Sequence, residues 1–272
     1  VSGYLVQLTS DVEALDGPVM VVAGPGTGKT QVLALRIANI LQKTDITASG
    51  ILCLTFTRSG VAAMERRLES YVGTLARNVK IATFHGFAIE LIEKHFHLLD
   101  FVSTPKLLDD IEAVVLVDEL LQNGEWEYLR PRTDPAKYFH DLRGLISILK
   151  RERMSPEQFL LEVEGDIKTL ETDPENISSR GPGKGQLKKE IEKKIESLNR
   201  TREVVAFYTQ YESLKHEQGF MDYDDVLEFA VELVETYEDV RADIRENYQY
   251  VLVDEHQDSS GVQNAFLKAV WT

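Results

Sequence analysis

The feature that most constrains this chain is a glycine-rich loop between two different patterns of apolar residues. The loop consists of Gly24, Pro25, Gly26, Thr27, Gly28, Lys29 and Thr30 and matches the pattern G-x-x-x-x-G-K-T, except that Ala23 stands at the first glycine. The apolar run Val19 to Ala23 precedes it and predicts a strand, and apolar residues at helical spacing from Thr30 to Leu41 predict a helix. In this strand–loop–helix context the pattern is typical of a phosphate-binding loop and not of a chance glycine-rich turn.

The residue types in the loop predict how a nucleoside triphosphate and Mg²⁺ would bind. Glycines allow backbone N–H groups to converge on phosphates at the start of a helix. Lys29 would reach the β and γ phosphates, and the Thr30 hydroxyl would ligate the metal ion. The alternative, a turn without ligand, does not account for both flanking elements.

A second chemical element lies near the end of the chain, where the apolar run Tyr250 to Val253 leads into two adjacent carboxylates. Asp254 would hold Mg²⁺ and Glu255 would polarise an attacking water, because phosphoryl transfer requires a metal ion and a positioned nucleophile. By itself, such a pair is explained equally well as a solvated strand end. Together with the glycine-rich loop, it predicts a paired catalytic site.

Short apolar runs alternate with helical patterns in the first hundred residues. Strand candidates at Ile51 to Phe56 and Val79 to Ala82 are followed by helical stretches at Ser59 to Val72 and Phe87 to Phe96. This order predicts an α/β fold with a parallel sheet and helices on both faces. From Leu107 to Tyr211, long charged amphipathic stretches predict a mostly α-helical insertion. We therefore predict three segments: a first part of the α/β domain at 1–98, a helical insertion subdomain at 99–216, and a second, truncated part at 217–272.

Composition excludes a membrane-spanning protein and favours the cytoplasm. Hydrophobic residues make up 43% and charged residues 28% of the chain, without an apolar run of about 18 residues. The N-terminal residues carry no secretion signal, and the absence of an initiator Met suggests an excised piece. The single cysteine, Cys53, lies in an apolar run and is predicted to be a buried strand residue.

Five segments in order resemble UvrD/Rep-type superfamily 1 DNA helicases. They are the glycine-rich loop, Ile51 to Leu68, Ile81 to Phe87, Phe220 to Leu227, and Val251 to Asp258 with Gln263. The resemblance implies a RecA-like P-loop NTPase domain interrupted by a helical insertion, with ATP and Mg²⁺ as cofactors. It also implies that Gln257 senses the γ phosphate or couples it to the DNA face.

The resemblance further implies contacts with single-stranded DNA by residues that follow two strands: Thr55, Phe56, Thr57, Thr83, Phe84 and His85. A phenylalanine stacked on a base, with hydroxyls on phosphates, binds DNA without sequence preference. The chain has a net charge of −15, which disfavours broad contact with the DNA backbone. Local contacts of this kind need few basic residues and are therefore compatible with that charge. The alternative makes both phenylalanines core residues at strand ends, where aromatic residues are usually buried.

Two positions near the nucleotide depart from the family's pattern. Val12 stands where the family usually has an adenine-reading Gln, and Gln31 stands where an Arg commonly packs on the base, so cation stacking is lost. Adenine selectivity is therefore open. The family's second RecA-like half, which supplies an arginine finger, does not follow Trp271 here, so we expect this chain alone to bind ATP without efficient turnover.

A basic cluster interrupts the acidic chain between residues 180 and 202. Its members are Arg180, Lys184, Lys188, Lys189, Lys193, Lys194, Arg200 and Arg202. One hypothesis is contact with duplex DNA ahead of the motor, at a duplex junction. The alternative is a solvated helix whose lysines pair with Glu190, Glu192 and Glu196.

The predicted function is an ATP-dependent DNA helicase or translocase on single-stranded DNA, with this chain as its N-terminal nucleotide-binding part. Its partners would be DNA and the missing second RecA-like half. The motor arm of a helicase–nuclease would share all of these motifs. A nucleotide-switched binding module without unwinding activity is favoured by the acidic surface and the missing adenine-reading Gln. A small-molecule kinase is disfavoured because no lid or acceptor site is evident.

Overall fold

The computed structural model of the protein describes residues 12, 13, 15, 17–22, 24, 26–129, 135–180 and 184–271. In this part of the chain the strands are β1 (Ile51–Thr55), β2 (Lys80–Thr83), β3 (Lys106–Leu107), β4 (Phe220–Met221) and β5 (Tyr250–Val253). The helices are α1 (Lys29–Lys43), α2 (Arg58–Val72), α3 (Phe84–His95), α4 (Asp110–Asn123), α5 (Pro135–Arg151), α6 (Pro156–Thr172), α7 (Lys189–Glu217), α8 (Asp225–Thr236), α9 (Glu238–Asn247) and α10 (Gly261–Trp271). None of these helices combines the length and the apolar character that crossing a membrane requires.

The chain divides into two compact units. The first unit comprises Val1–His95 and Phe229–Thr272, and the second comprises Phe96–Glu228. The second unit therefore extends beyond residue 216, the predicted end of the insertion. Residues after 216 stay in this unit because β4 pairs with β3 and because acidic residues of the following turn contact buried lysines of α5 and α7.

The first unit contains a parallel three-stranded sheet in the order β2–β1–β5. Leu54 of β1 pairs with Ala82 of β2 and with Val253 of β5, so the three strands end at the same edge. The whole of β1 is buried, as expected for a continuous apolar strand with neighbours on both sides. The predicted α/β class with a parallel sheet is confirmed, and β5 has the bounds that the sequence predicts.

Helices α1 and α2 bury apolar side chains against one face of this sheet. Ile37 and Ile40 of α1 and Met64 of α2 are inaccessible to solvent and belong to one core cluster with Cys53. Burial, with a smaller effect from the Asp254 carboxylate, raises the pKa of the Cys53 thiol to about 12. The prediction that Cys53 is a buried strand residue is confirmed.

The strand predicted at Val19 to Ala23 is not found in the described residues. Residues 18–22 have no strand assignment, and the side chains of Met20 and Val22 are 79% and 82% exposed. Within the described residues, no strand of the sheet is hydrogen-bonded to this segment, and β5 pairs only with β1. An apolar run supplies β propensity, but a strand also requires a partner that accepts its hydrogen bonds.

The second unit is mostly helical, as the sequence predicts for the insertion. Leu116 of α4, Ile146 of α5 and Phe207 of α7 meet in one core. Helix α4 ends before Gly124, where a Cβ atom would lie 2.2 Å from Nε1 of Trp126, so this position requires glycine. The parallel pair β3–β4 was not predicted, because strands of two residues carry no readable periodicity.

Candidate nucleotide and nucleic-acid site

The glycine-rich loop folds into a tight turn before α1. Gly26 and Gly28 have φ values of 73° and 91°, a backbone conformation that residues with a Cβ rarely adopt. The Thr27 hydroxyl donates to the Gly24 carbonyl at 2.7 Å, and Lys29 Nζ donates to the same oxygen at 3.4 Å. Pro25 lies outside the described residues. Two glycines of the motif are thus required by the shape of the turn itself.

The first turn of α1 is a suitable place for an anion. Its N-cap is Gly28, and within the described chain no side chain caps the helix. The first N–H groups of a helix lack intrahelical partners and carry a partial positive charge, which phosphate oxygens can satisfy. Thr30 is half-buried and Gln31 is exposed in this turn. Val12 has no polar side-chain atom for adenine, and its carbonyl accepts a hydrogen bond from the Asn39 amide at 2.8 Å.

Strand β5 places Asp254 at the carboxyl edge of the sheet. The Asp254 N–H donates to the Leu54 carbonyl at 2.9 Å, which extends the ladder by one residue. The Asp254 side chain is only 8% exposed, and its Oδ1 accepts a hydrogen bond from the Glu255 N–H at 3.1 Å. Parallel α/β sheets bind their ligands at this edge. A carboxylate from Asp254 and a hydroxyl from Thr30 are oxygen donors of the kind that Mg²⁺ prefers, so these residues fit the metal.

Glu255 has an unusual backbone conformation for a residue with a side chain. Its φ of 54° lies in the left-handed region, and strain of this kind is concentrated at functional sites. The Gln257 amide donates a hydrogen bond to the Glu255 carboxylate. The His256 ring pairs with the Ser259 hydroxyl at 3.1 Å within the same turn.

Gln263 has a local role that the sequence did not predict. Its side-chain oxygen accepts a hydrogen bond from the Ser260 N–H at 2.9 Å, and the Ser260 hydroxyl accepts one from the Gln263 N–H at 3.4 Å. This reciprocal pair is a capping box for α10. The spacing Ser-x-x-Gln before an apolar stretch was the signal that could have revealed it.

At each of the two strand ends that the family resemblance assigns to DNA, a threonine hydroxyl caps the helix that follows. The Thr57 hydroxyl accepts a hydrogen bond from the Gly60 N–H at 3.0 Å, and the Thr83 hydroxyl accepts one from the Gly86 N–H at 3.0 Å. These hydroxyls hold the first turns of α2 and α3. Sequence reasoning assigned both hydroxyls to phosphates and missed this capping role.

Burial separates the six predicted DNA contacts into two groups. Thr55 and Phe84 are 2% and 3% exposed, and the Thr55 hydroxyl donates to the Thr57 carbonyl at 3.1 Å. Phe84 contacts the Phe56 ring edge-on, with centroids 5.9 Å apart. Phe84 is therefore a core residue, as the alternative to DNA contact predicts. The other four predicted contacts are half-buried or exposed: Phe56, Thr57, Thr83 and His85.

The basic cluster lies on the surface of the second unit. All of its eight members are exposed. Arg200 pairs with Glu196 at 2.8 Å and lies 5.6 Å from the Tyr128 ring centroid. In the described chain, no ion pair joins Lys188, Lys189 or Lys193 to an acidic residue of α7, so the pairing that the alternative interpretation requires is not formed by these three lysines.

Comparison with known proteins gives one family. The sequence model of the UvrD/REP helicase N-terminal domain matches residues 6–272. The ATP-dependent DNA helicase PcrA of Bacillus subtilis (strain 168) is 24% identical over 258 residues, and PcrA of Staphylococcus aureus (strain Mu50) is 23% identical over 257 residues. Both alignments cover 94% of this chain. The chain spans about 30% of the length of these curated relatives.

Proposed function

Because the chain belongs to the UvrD/REP helicase N-terminal domain family, we propose that it is the nucleotide-binding part of an ATP-dependent DNA helicase or translocase. Two features of the first unit carry this proposal. One is the helix start behind the glycine-rich turn, and the other is the buried Asp254 at the carboxyl edge of the sheet. The PcrA relatives are ATP-dependent DNA helicases, which supports the same class.

In this proposal each residue of the nucleotide site has one role. The turn from Gly24 to Gly28 surrounds the phosphates with backbone N–H groups, and Lys29 adds a positive charge. Thr30 and Asp254 would hold Mg²⁺, which neutralises charge on the phosphate oxygens. Glu255 orients the attacking water. Gln257 holds the Glu255 carboxylate, and its proximity supports a role in sensing the γ phosphate.

Single-stranded DNA would lie along the ends of β1 and β2. Phe56 is half-buried and contacts the buried Phe84 ring, and its remaining exposed surface can stack on a base. Thr57 is exposed, and its hydroxyl lies 2.9 Å from the Ser59 hydroxyl. When Ser59 is the donor in that pair, the Thr57 proton can go to a phosphate oxygen. We keep Thr83 and His85 as further contacts and withdraw Thr55, whose hydroxyl is already committed to a backbone carbonyl.

The exposed lysines at the start of α7 support a second contact, with the duplex ahead of the single strand. The second RecA-like half of a longer parent protein would complete the motor. The PcrA relatives are bacterial proteins. Since bacteria hold their ATP and chromosomal DNA in the cytoplasm, the same location is proposed for a motor of this kind.

Replacing Lys29 tests the proposed nucleotide site. We expect Lys29→Ala to weaken Mg·ATP binding by about tenfold or more, because the variant has no ammonium group to pair with the phosphates. Isothermal titration of the purified chain measures the affinity, and circular dichroism checks that the variant is folded. Lys43→Ala is the matched control, since it removes an exposed lysine from the other end of α1. Unchanged affinity in a folded Lys29→Ala variant would refute the proposed function.

A further inference from the structure

A buried ion cluster in the second unit contains more acidic than basic groups. Lys150 of α5 and Lys215 of α7 are each 1% exposed. The Lys150 ammonium lies 2.9 Å from both Glu212 and Asp222 and also contacts Asp225. The Lys215 ammonium lies 2.9 Å from Glu212, 2.7 Å from Asp222 and 2.6 Å from Asp225. Two ammonium groups therefore face three carboxylates, which leaves one negative charge in excess.

The same carboxylates hold the first turn of α8. Asp222 Oδ1 accepts hydrogen bonds from the N–H groups of Asp224 and Asp225 at 3.0 and 2.9 Å. Asp225 Oδ2 accepts a hydrogen bond from the Asp222 N–H at 2.6 Å. A change of charge in the cluster therefore acts directly on the start of this helix.

Glu228 lies one helical turn after Asp225, on the same side of α8. Its side chain is half-buried, and within the described residues it forms no ion pair or hydrogen bond. An ionised Glu228 would add a second unpaired negative charge beside the excess that the cluster already carries. A proton removes that charge, so this environment favours the protonated acid.

We propose that Glu228 and the ion cluster form a proton-binding switch, in which Glu228 is protonated in the folded unit near neutral pH and its ionisation loosens the start of α8. Burial raises the pKa of Glu228 to about 7, and the carboxylates of Asp225, Glu212 and Asp222 act in the same direction, against Lys150.

The groups that face Glu228 come from three elements. They are Lys150 of α5, Tyr208 and Glu212 of α7, and Asp222 and Asp225 at the turn that leads into α8. Lys215 of α7 contacts the same carboxylates, and its ammonium lies 5.0 Å from the centroid of the Tyr211 ring. Although burial acts to lower it, the pKa of Lys150 is held well above its ordinary value by the three carboxylates. Burial raises the pKa of both tyrosines, so they stay neutral. Burial also raises the pKa of Glu212, but this carboxylate contacts both ammonium groups and Glu228 contacts neither.

The direction of the pH effect follows from the raised pKa. Between the ordinary glutamate pKa of 4.5 and about 7, the folded unit binds more protons at Glu228 than the unfolded chain does. The favourable contribution is therefore complete below pH 4.5 and is lost as the pH rises through 7. Glu228→Gln imitates the protonated acid and should keep this contribution at every pH.

Unfolding of the second unit at two pH values tests the proposal. Trp126 is buried in this unit, and the only other tryptophan is Trp271, so fluorescence in a Trp271→Phe background reports on the second unit alone. We expect Glu228→Gln to lower the unfolding equilibrium constant relative to its parent by a factor that is roughly ten to a hundred times larger at pH 8 than at pH 5. Glu164→Gln removes an exposed glutamate from α6 of the same unit and should show no such dependence. A ratio independent of pH for Glu228→Gln would overturn the proposal.

A second measurement follows the titration of Glu228 directly and does not depend on the stability of a variant. In the unmodified chain, carbon-13 NMR of the glutamate carboxyl groups should show one group that titrates near pH 7, and this resonance should be absent from Glu228→Asp. If Glu228 titrates near the ordinary glutamate pKa, the proposal is wrong.

Discussion

Among single residues, Thr57 shows how one side chain can serve both the fold and a ligand. Its hydroxyl oxygen accepts the Gly60 N–H and thereby caps α2, while its side chain remains exposed. A capping hydroxyl still has a proton to donate, so a contact with a phosphate oxygen is compatible with capping. Thr55 differs, because it is buried and its proton already goes to a backbone carbonyl.

Substitution at Thr57 separates these two roles. Asp caps a helix at least as well as Thr but repels phosphate, whereas Ala does neither. We expect Thr57→Asp to keep the free energy of unfolding within a few tenths of a kcal/mol and to weaken binding of an oligo-dT strand severalfold. We expect Thr57→Ala to lower the free energy of unfolding by about 1 kcal/mol. Urea unfolding and fluorescence anisotropy measure the two effects.

The control for added charge is Thr47→Asp. Thr47 is exposed at the amino end of β1, away from the edge where the three strands end. The Thr47→Asp substitution should not change the affinity for oligo-dT. Equal affinity for Thr57→Asp and the unmodified chain would show that Thr57 only caps α2.

Among the elements, α7 combines two different surfaces along one helix of 29 residues. Its second half buries Phe207, Tyr208 and Tyr211 in the core of the second unit. Its beginning exposes lysines that, among the residues the structure describes, do not pair with the acids of the same helix. A single helix can therefore be anchored at one end and present positive charge at the other.

Charge reversal at the start of α7 tests the proposed binding of duplex DNA. We expect replacement of Lys188, Lys189 and Lys193 by Glu to weaken duplex binding at low salt. The slope of log affinity against log salt should fall by about 1 for each phosphate that the variant no longer neutralises. Lys168→Glu on α6 is the control, because Lys168 is exposed in the same unit but lies outside the cluster. If the triple variant binds duplex with unchanged affinity and slope, the lysines form only a solvated face.

At the scale of the whole molecule, the chain has about 30% of the length of its PcrA relatives. We expect the chain by itself to hydrolyse ATP about a thousandfold or more slowly than the longer parent, since an arginine from another part of a motor can contribute that much to the rate. Steady-state phosphate release, with and without oligo-dT, measures this. Similar rates for both proteins would contradict the expectation.

The same assay separates a motor from a nucleotide-switched binding module. DNA-stimulated hydrolysis by the longer parent supports a motor. Hydrolysis that DNA does not change supports the module.

The sequence by itself determined the class of the fold, and it predicted the residues of the nucleotide site. The glycine-rich turn, Asp254 and the bounds of β5 could be predicted because each depends on a short run of residues with defined backbone and side-chain properties. The helical character of the insertion was also predictable from periodicity.

Only the tertiary structure decided which predicted contacts are accessible and where the insertion ends. Phe56 and Phe84 follow similar strands, yet one is half-buried and the other buried. Lys150 and Asp225 are 75 positions apart in sequence, and nothing local to either indicates that they form a buried pair. Burial and ion pairing depend on residues that folding brings together from distant positions, and periodicity along the chain does not record those distances.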